Sequence, residues 1–106
     1  MQVKKLSDMR GGWFVGRFEP TCLALNQCEV AVKKYAAGDA EPRHVHRIAE
    51  ELTLVVSGRV ILNDVELGPG DIACLNPGEP ASFSVIEDAV TVVVKSPSVP
   101  SDKYPA

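Results

Sequence analysis

The chain has 106 residues, 45% apolar and 24% charged, which describes one ordinary globular domain with a single core and excludes a disordered or multi-domain protein. Its formal net charge of −3 is the wrong sign for a nucleic-acid groove, which needs clustered Lys and Arg to displace counterions. No stretch approaches the length of a membrane span, and Met1–Leu6 lacks the apolar run and cleavage site of a signal peptide, so a cytoplasmic protein is expected.

In chain order, the segment around Trp13-Phe14-Val15 and Phe18 is apolar but broken by Gly11, Gly12 and Gly16, and reads as an edge strand or an N-terminal arm over residues 1–20. The same glycines have the spacing of a phosphate-binding loop but lack its Lys-Ser/Thr, so they read as a turn or strand break. Cys28–Tyr35 alternates loosely and stops at the Ala36–Asp39 turn; Arg43–Arg47 follows. Leu52–Val56 is β-branched and predicted to end at Ser57-Gly58. Val60–Leu62 and Val65–Leu67 flank Asn63-Asp64, a two-residue hairpin signal. Gly68–Asp71 forms a corner, with Asp71 expected to bond the turn backbone, and Ile72–Leu75 is the next strand. After the break at Asn76–Pro80, Phe83–Ile86 and Ala89–Val94 are predicted as two strands joined across Glu87-Asp88. The tail, residues 96–106, is rich in proline and cannot continue a central strand; it is expected to fray or to lie along a surface, its own or a neighbouring subunit's. Short strands with turns every eight to twelve residues predict an all-β sandwich or barrel. Cys22, Cys28 and Cys74 are odd in number and show no C-x-x-C spacing, so three reduced, largely buried thiols are expected, with Cys74 pointing inward beside Ile72.

The only two histidines, His44 and His46, stand one residue apart. In a strand they point the same way, while Val45 points the other. A carboxylate from an adjoining strand would complete a three-ligand set suited to a first-row divalent metal, with coordination positions left open. Arg43 and Arg47 flank the pair and read as surface charges; Tyr35 and Arg59 are candidates for the barrel mouth.

The intervals Gly38, His44-Val45-His46, Glu51 and Gly58 resemble the first signature motif of the cupin superfamily, over residues 38–58. Gly70-Asp71 and Pro77-Gly78 are similar to the start of the second motif, over residues 70–85. The resemblance implies a single-domain antiparallel jelly-roll barrel over residues 1–106, with a divalent metal (Fe, Mn, Ni or Zn) held by His44, His46 and Glu51. Glu50 falls on the wrong side of the motif's count, and strand alternation turns it away with Leu52 if Glu51 faces in with Thr53 and Val55. The family's fourth ligand, a histidine closing the second motif, aligns with Ala81 here. Glu79 or water would have to stand in for it, and metal affinity is expected to be weaker than in four-ligand relatives.

Two histidines and a carboxylate leave room for a bidentate small molecule, so the resemblance implies a metal-dependent isomerase or oxygenase acting on a small oxygen-rich compound. Glu79 or Tyr35 would then serve as general base. The alternatives are a non-catalytic small-molecule binder, or a structural barrel with a degenerate metal site. A homodimer is expected, with no nucleic-acid or membrane partner.

Overall fold

The computed structural model describes residues 1–106 as eight strands preceded by two short 3₁₀ turns, Leu6–Asp8 and Arg10–Gly12. The strands are β1 (Trp13–Val15), β2 (Glu29–Tyr35), β3 (Ala40–Val45), β4 (Glu50–Leu62), β5 (Val65–Leu67), β6 (Ile72–Leu75), β7 (Pro80–Ser96) and β8 (Tyr104–Pro105). Every strand pairing between them is antiparallel.

Two strands are far longer than the sequence predicts, and they build the barrel. β4 continues through Ser57-Gly58, and β7 continues through Glu87-Asp88, where breaks were expected. The first half of β4 lies between β6 and the second half of β7, whose other side carries β2 and then β1. The second half of β4 lies between β5 and the first half of β7, which carries β3 and then β8. One continuous sheet therefore folds over on itself, with β4 and β7 turning both corners.

The corner in β4 is made by irregular register from Val55 to Val60, which bends the strand as bulges do. Gly58 sits there at φ +81°, and a Cβ on it would lie 2.1 Å from the Asp88 carbonyl oxygen on β7. The two corners nest against each other at a spot where only glycine fits. Turn signals thus marked real changes of direction, but pairing on both flanks carries each strand through them. The Asn63-Asp64 hairpin is as expected: both residues have positive φ, at 49° and 64°, the conformation of a type I′ turn.

Val55, Val60, Val85 and Ala89 pack at the corners as an apolar core, with Tyr35, Leu67 and Phe83 against it. Leu62, Leu75 and Ala81 form a second cluster. Away from the corners the inward faces of the same strands become polar and line a cavity of about 400 Å³.

The cysteines are free, as expected, but they are not buried: Cys22 and Cys74 are exposed and Cys28 is half-buried. Cys74 pairs with Leu52, and Leu52 faces away from Glu51 and Thr53, so cross-strand neighbours carry both Cys74 and Ile72 to the outside. Nor does the tail fray. It crosses back over its own barrel, burying Ser98 and Asp102, and β8 pairs with the end of β3. No helix is long and apolar enough to cross a membrane.

The nested corners give the first prediction. Gly58→Ala should lower stability by at least about 2 kcal/mol, from forced positive φ plus backbone overlap. An unchanged urea midpoint would show that the corner tolerates a side chain and would contradict this packing.

Candidate metal centre

His44 is the penultimate residue of β3, His46 lies just past that strand, and Glu51 is the second residue of β4. The alternation argument holds for all three. His44 and His46 are buried on the same side, and Glu51 faces in with Thr53 and Val55, while Glu50 and Leu52 are exposed. One ligand atom from each of His44, His46 and Glu51 falls within 4.8 Å of the others, a spacing that fits a single divalent ion.

The imidazoles are held for that role by the backbone. His44 Nδ1 lies 3.0 Å from the Pro42 carbonyl oxygen, and His46 Nδ1 bonds the carbonyl oxygen of Asp102. A carbonyl only accepts, so each Nδ1 carries a proton and each Nε2 faces the cavity. This is the outer-shell arrangement that presents imidazole to a metal. His46 Nε2 lies 3.0 Å from Glu51 Oε2. The Glu51 hydrogen bond raises the His46 pKa, against burial, with help from the Asp102 carbonyl. Burial pushes the Glu51 carboxyl up, but the hydrogen bond from His46 and the charges of His46, Lys95 and His44 outweigh it, and the net shift is downward. The pair thus satisfies itself electrostatically.

Asp102 is the residue that sequence reasoning missed most completely. Its carboxylate accepts hydrogen bonds from the backbone N–H groups of Arg47, Ile48 and Ala49, at 2.9, 3.0 and 2.9 Å. These bonds fix the β3–β4 connection, and the same residue's carbonyl orients His46. Arg47 stacks on the Tyr104 ring at 3.9 Å, adding a second tie between tail and turn.

Around the triad the cavity carries further charge. Lys95 stands directly between Glu29 and Glu51 in the strand register and pairs with Glu29 at 3.1 Å. Glu29 also accepts a hydrogen bond from Ser98 of the tail. The Tyr35 hydroxyl donates to Glu41 at 2.8 Å within the same cavity. Burial first, then the hydrogen bond to and charge of Glu41, raises the Tyr35 pKa well above the usual phenol value.

Ala81 is paired with His44 and lines the cavity, so this position faces the site with a methyl group and no donor atom. Glu79 does not replace it: the side chain is exposed and accepts the Asn76 N–H at 3.1 Å, capping its own turn. Arg59 is also outside, paired with Glu66 at 2.9 Å. Arg43 is on the surface against Ser82, and Asp71 accepts the Gly68 N–H as expected.

No protein-family model and no curated protein matches the chain in sequence. Solved structures do match it in shape. The DMSP lyase DddQ from Ruegeria pomeroyi superposes with a TM-score of 0.74 at 20% identity, over 89% of this chain and 49% of that one. An uncharacterized conserved protein with a double-stranded β-helix domain from Klebsiella pneumoniae gives 0.72 at 22% identity, over 99% and 91%. A cupin protein from Bacteroides fragilis gives 0.59 at 23% identity, over 73% and 70%. The chain has the cupin fold. It spans about half the length of DddQ, and at these identities the likeness is one of architecture.

Within this cupin barrel the further cavity residues were hidden by their neighbours. Tyr35 was a candidate for the barrel mouth and does line the cavity, but Glu29 and Lys33 alternate with Val30 and Val32, a pattern that reads as valines facing a core. Here the polar set faces in, because the inside is a cavity.

Asp102 yields the second prediction. Burial pushes its carboxyl up, but the N–H groups of Ala49, Arg47 and Ile48 hold it below the usual value. A carboxyl depressed on folding stabilises fully above its unfolded pKa of about 3.9, and that stability is lost as pH falls through the folded value. Asp102→Ala should lower stability at pH 7 by about 1–3 kcal/mol, since buried N–H groups lose a charged partner. In urea denaturation the gap between variant and wild type should close below about pH 4. A gap that persists undiminished at pH 2 would contradict the role given to the carboxylate.

Proposed function

We propose that this protein is a divalent-metal-dependent enzyme that moves a proton on a small oxygen-rich compound, in an isomerisation or elimination. The observation that carries the reading is one cavity holding both the His44, His46 and Glu51 set and a Tyr35–Glu41 hydrogen-bonded pair. His44 Nε2, His46 Nε2 and a Glu51 oxygen would hold the metal, and a bound ion supplies Lewis-acid polarisation of a ligand oxygen. A volume of about 400 Å³ suits a small metabolite.

The chain's own residues supply the proton path. Tyr35 stays protonated, since its pKa is raised, and its proton already points at Glu41. As the phenol oxygen accepts a proton from the ligand, Glu41 accepts the phenol's, and the reverse transfer returns it. Glu79, exposed on its turn, is no longer a candidate base. The cupin lyase DddQ supports such chemistry for the fold, while oxygenation finds no separate support in the cavity lining.

A second observation supports self-association. The outer face of β6, β4 and β7 is apolar: Leu52, Val56 and Ile72 are 41%, 50% and 59% exposed, and Leu54 pairs with both Ile72 and Val92. A contiguous patch of this kind marks an interaction surface, and a second copy of the chain is the partner we propose. Three free cysteines support a reducing, cytoplasmic setting.

Elemental analysis tests the metal. Untagged protein loaded with Mn(II) or Zn(II) and desalted should carry about one ion per chain; His44→Ala and Glu51→Ala should retain less than about a tenth, and Glu50→Ala should match wild type. Both imidazoles must be neutral to ligate, so occupancy should fall as pH drops through about 6. Full occupancy at pH 4.5, or loss in Glu50→Ala alone, would contradict the assignment. Ala81→His, which places a donor beside His44, should tighten binding.

Proton transfer is read by NMR in D₂O, following loss of α-proton signal from small keto and hydroxy acids with metal-loaded protein. Tyr35→Phe should slow exchange by about a hundredfold without changing metal content. Exchange at the wild-type rate in Tyr35→Phe would remove the proton path. Sedimentation tests the interface: wild type should run as a dimer and Leu54→Glu as a monomer, and a monomeric wild type would remove the proposal.

A further inference from the structure

The cavity contains a cation that no carboxylate of the protein contacts. Four basic side chains line it: Arg10, Lys33, Lys95 and Lys103. Arg10 and Lys103 are exposed at the rim, and Lys95 is paired with Glu29. Lys33 is half-buried and takes part in none of the protein's ion pairs or side-chain hydrogen bonds; its Nζ lies 5.2 Å from the centre of the Trp13 ring. The acids of the lining are otherwise engaged or outside: Glu29 with Lys95, Glu51 with His46, Glu41 with Tyr35, and Glu19 exposed.

A second feature lies beside it. Thr91 is opposite Lys33 in the β2–β7 register, is fully buried and lines the same cavity. Its hydroxyl is the one buried side-chain polar atom in the protein without a hydrogen-bond partner. Buried polar groups are almost always satisfied, and an unpaired ammonium out of water is costlier still. One small anion would answer both deficits. Burial lowers the Lys33 pKa against the pull of Glu41, with Lys103 and Lys95 adding to the downward shift.

We infer that Lys33 and Thr91 form a recognition subsite for a carboxylate or a similar small oxyanion, so that the cavity's ligand is an anion rather than a neutral sugar or diol. Lys33 supplies the charge and Thr91 a directional hydrogen bond, with Trp13 as an apolar wall. The link from this subsite to a reaction rests on the metal-centred reading above; anion binding itself does not. Placement follows from the N-terminal arm, where Gly12 at φ +81° lets the chain pass so close to β2 that a Cβ would meet the Val32 carbonyl oxygen at 2.0 Å. That close pass delivers Trp13 to its position beside Lys33 and Lys95, whose Nζ atoms lie 5.2 and 4.6 Å from the ring centre.

Trp13 is the only tryptophan in the chain and reports on the subsite directly. Protein freed of metal and then of chelator is titrated with malonate, and with malonamide as the neutral control, following Trp13 emission and, in parallel, heat. Malonate should bind saturably and malonamide should not. Lys33→Met should weaken malonate by about ten- to a hundredfold, and Thr91→Val by about three- to tenfold. Lys34→Met removes the same charge from the outer face of β2 and should leave binding unchanged. Circular dichroism checks that each variant folds, and Thr91→Val, nearly isosteric, keeps the test open should Lys33→Met not fold. Absence of saturable malonate binding by both readouts, equal binding of malonamide, or wild-type affinity in Lys33→Met or in Thr91→Val would overturn the subsite. Metal uptake by a second portion of the same protein, reloaded with Zn(II) and desalted, separates the two readings. Malonate binding without metal uptake keeps the subsite and removes the metal centre; metal uptake without malonate binding does the reverse.

Discussion

Asp102 is the constraint on which the site depends. Its carboxylate gathers three successive N–H groups of the β3–β4 connection, and its carbonyl takes the His46 Nδ1 proton. With that turn fixed, the end of β3 and the residue just past it bring His44 and His46 to one side, and β4 begins in the register that turns Glu51 toward them. The orientation of both Nε2 atoms follows from backbone carbonyls, which do not titrate. A segment some fifty residues away in sequence thus sets the geometry of a motif that looks local. Preorganisation of this kind, with rotamers locked by an outer layer, is what separates a ligand set from a coincidence of residue types.

The second organising fact is the reversal of polarity across the barrel wall. At the nested corners of β4 and β7 the inward residues are Val55, Val60, Val85 and Ala89, an ordinary core. Away from the corners, the same strands and β2 turn Glu29, Lys33, Tyr35, Glu51, Thr91 and Lys95 inward. Val30, Val32, Leu52 and Val94 go to the other face instead, while Leu62 and Val93 stay in the lining. One end of the barrel therefore provides stability and the other a charged cavity. The charges within are mostly paired, Lys95 with Glu29 and His46 with Glu51, which is how such a lining tolerates burial. The unpaired remainder, Lys33 and the Thr91 hydroxyl, is where chemistry from outside the protein is required.

How much of this was legible in the sequence varied by kind of signal. An all-β sandwich or barrel was legible from turn spacing, and the His44 and His46 pair from alternation; the jelly roll and Glu51 as third residue came from the resemblance to the cupin motif, and the three side chains do lie together. The Asn63-Asp64 hairpin was readable because positive φ demands particular residues. The corners were misread because Gly58 and Glu87-Asp88 do change the chain's direction, but pairing with strands distant in sequence holds β4 and β7 together across them. Cys74 was misplaced because a short apolar strand does not declare its register; only its pairing with Leu52 turns it outward. Proline in the tail excluded a central strand correctly, but nothing local in Asp102 announces three N–H partners more than fifty residues upstream. Lys33 was hidden by the usual expectation that valines, not lysines, face in.

The central claim is that His44, His46 and Glu51 form one metal site, with Ala81 leaving it a donor short. The most direct measurement is anomalous scattering from crystals grown with Zn(II) or Mn(II). The account predicts one strong peak in the cavity, about 2.0–2.3 Å from both Nε2 atoms and a Glu51 oxygen, with the His46–Glu51 hydrogen bond replaced by the ion. A peak elsewhere, or no peak with that hydrogen bond intact, would contradict it.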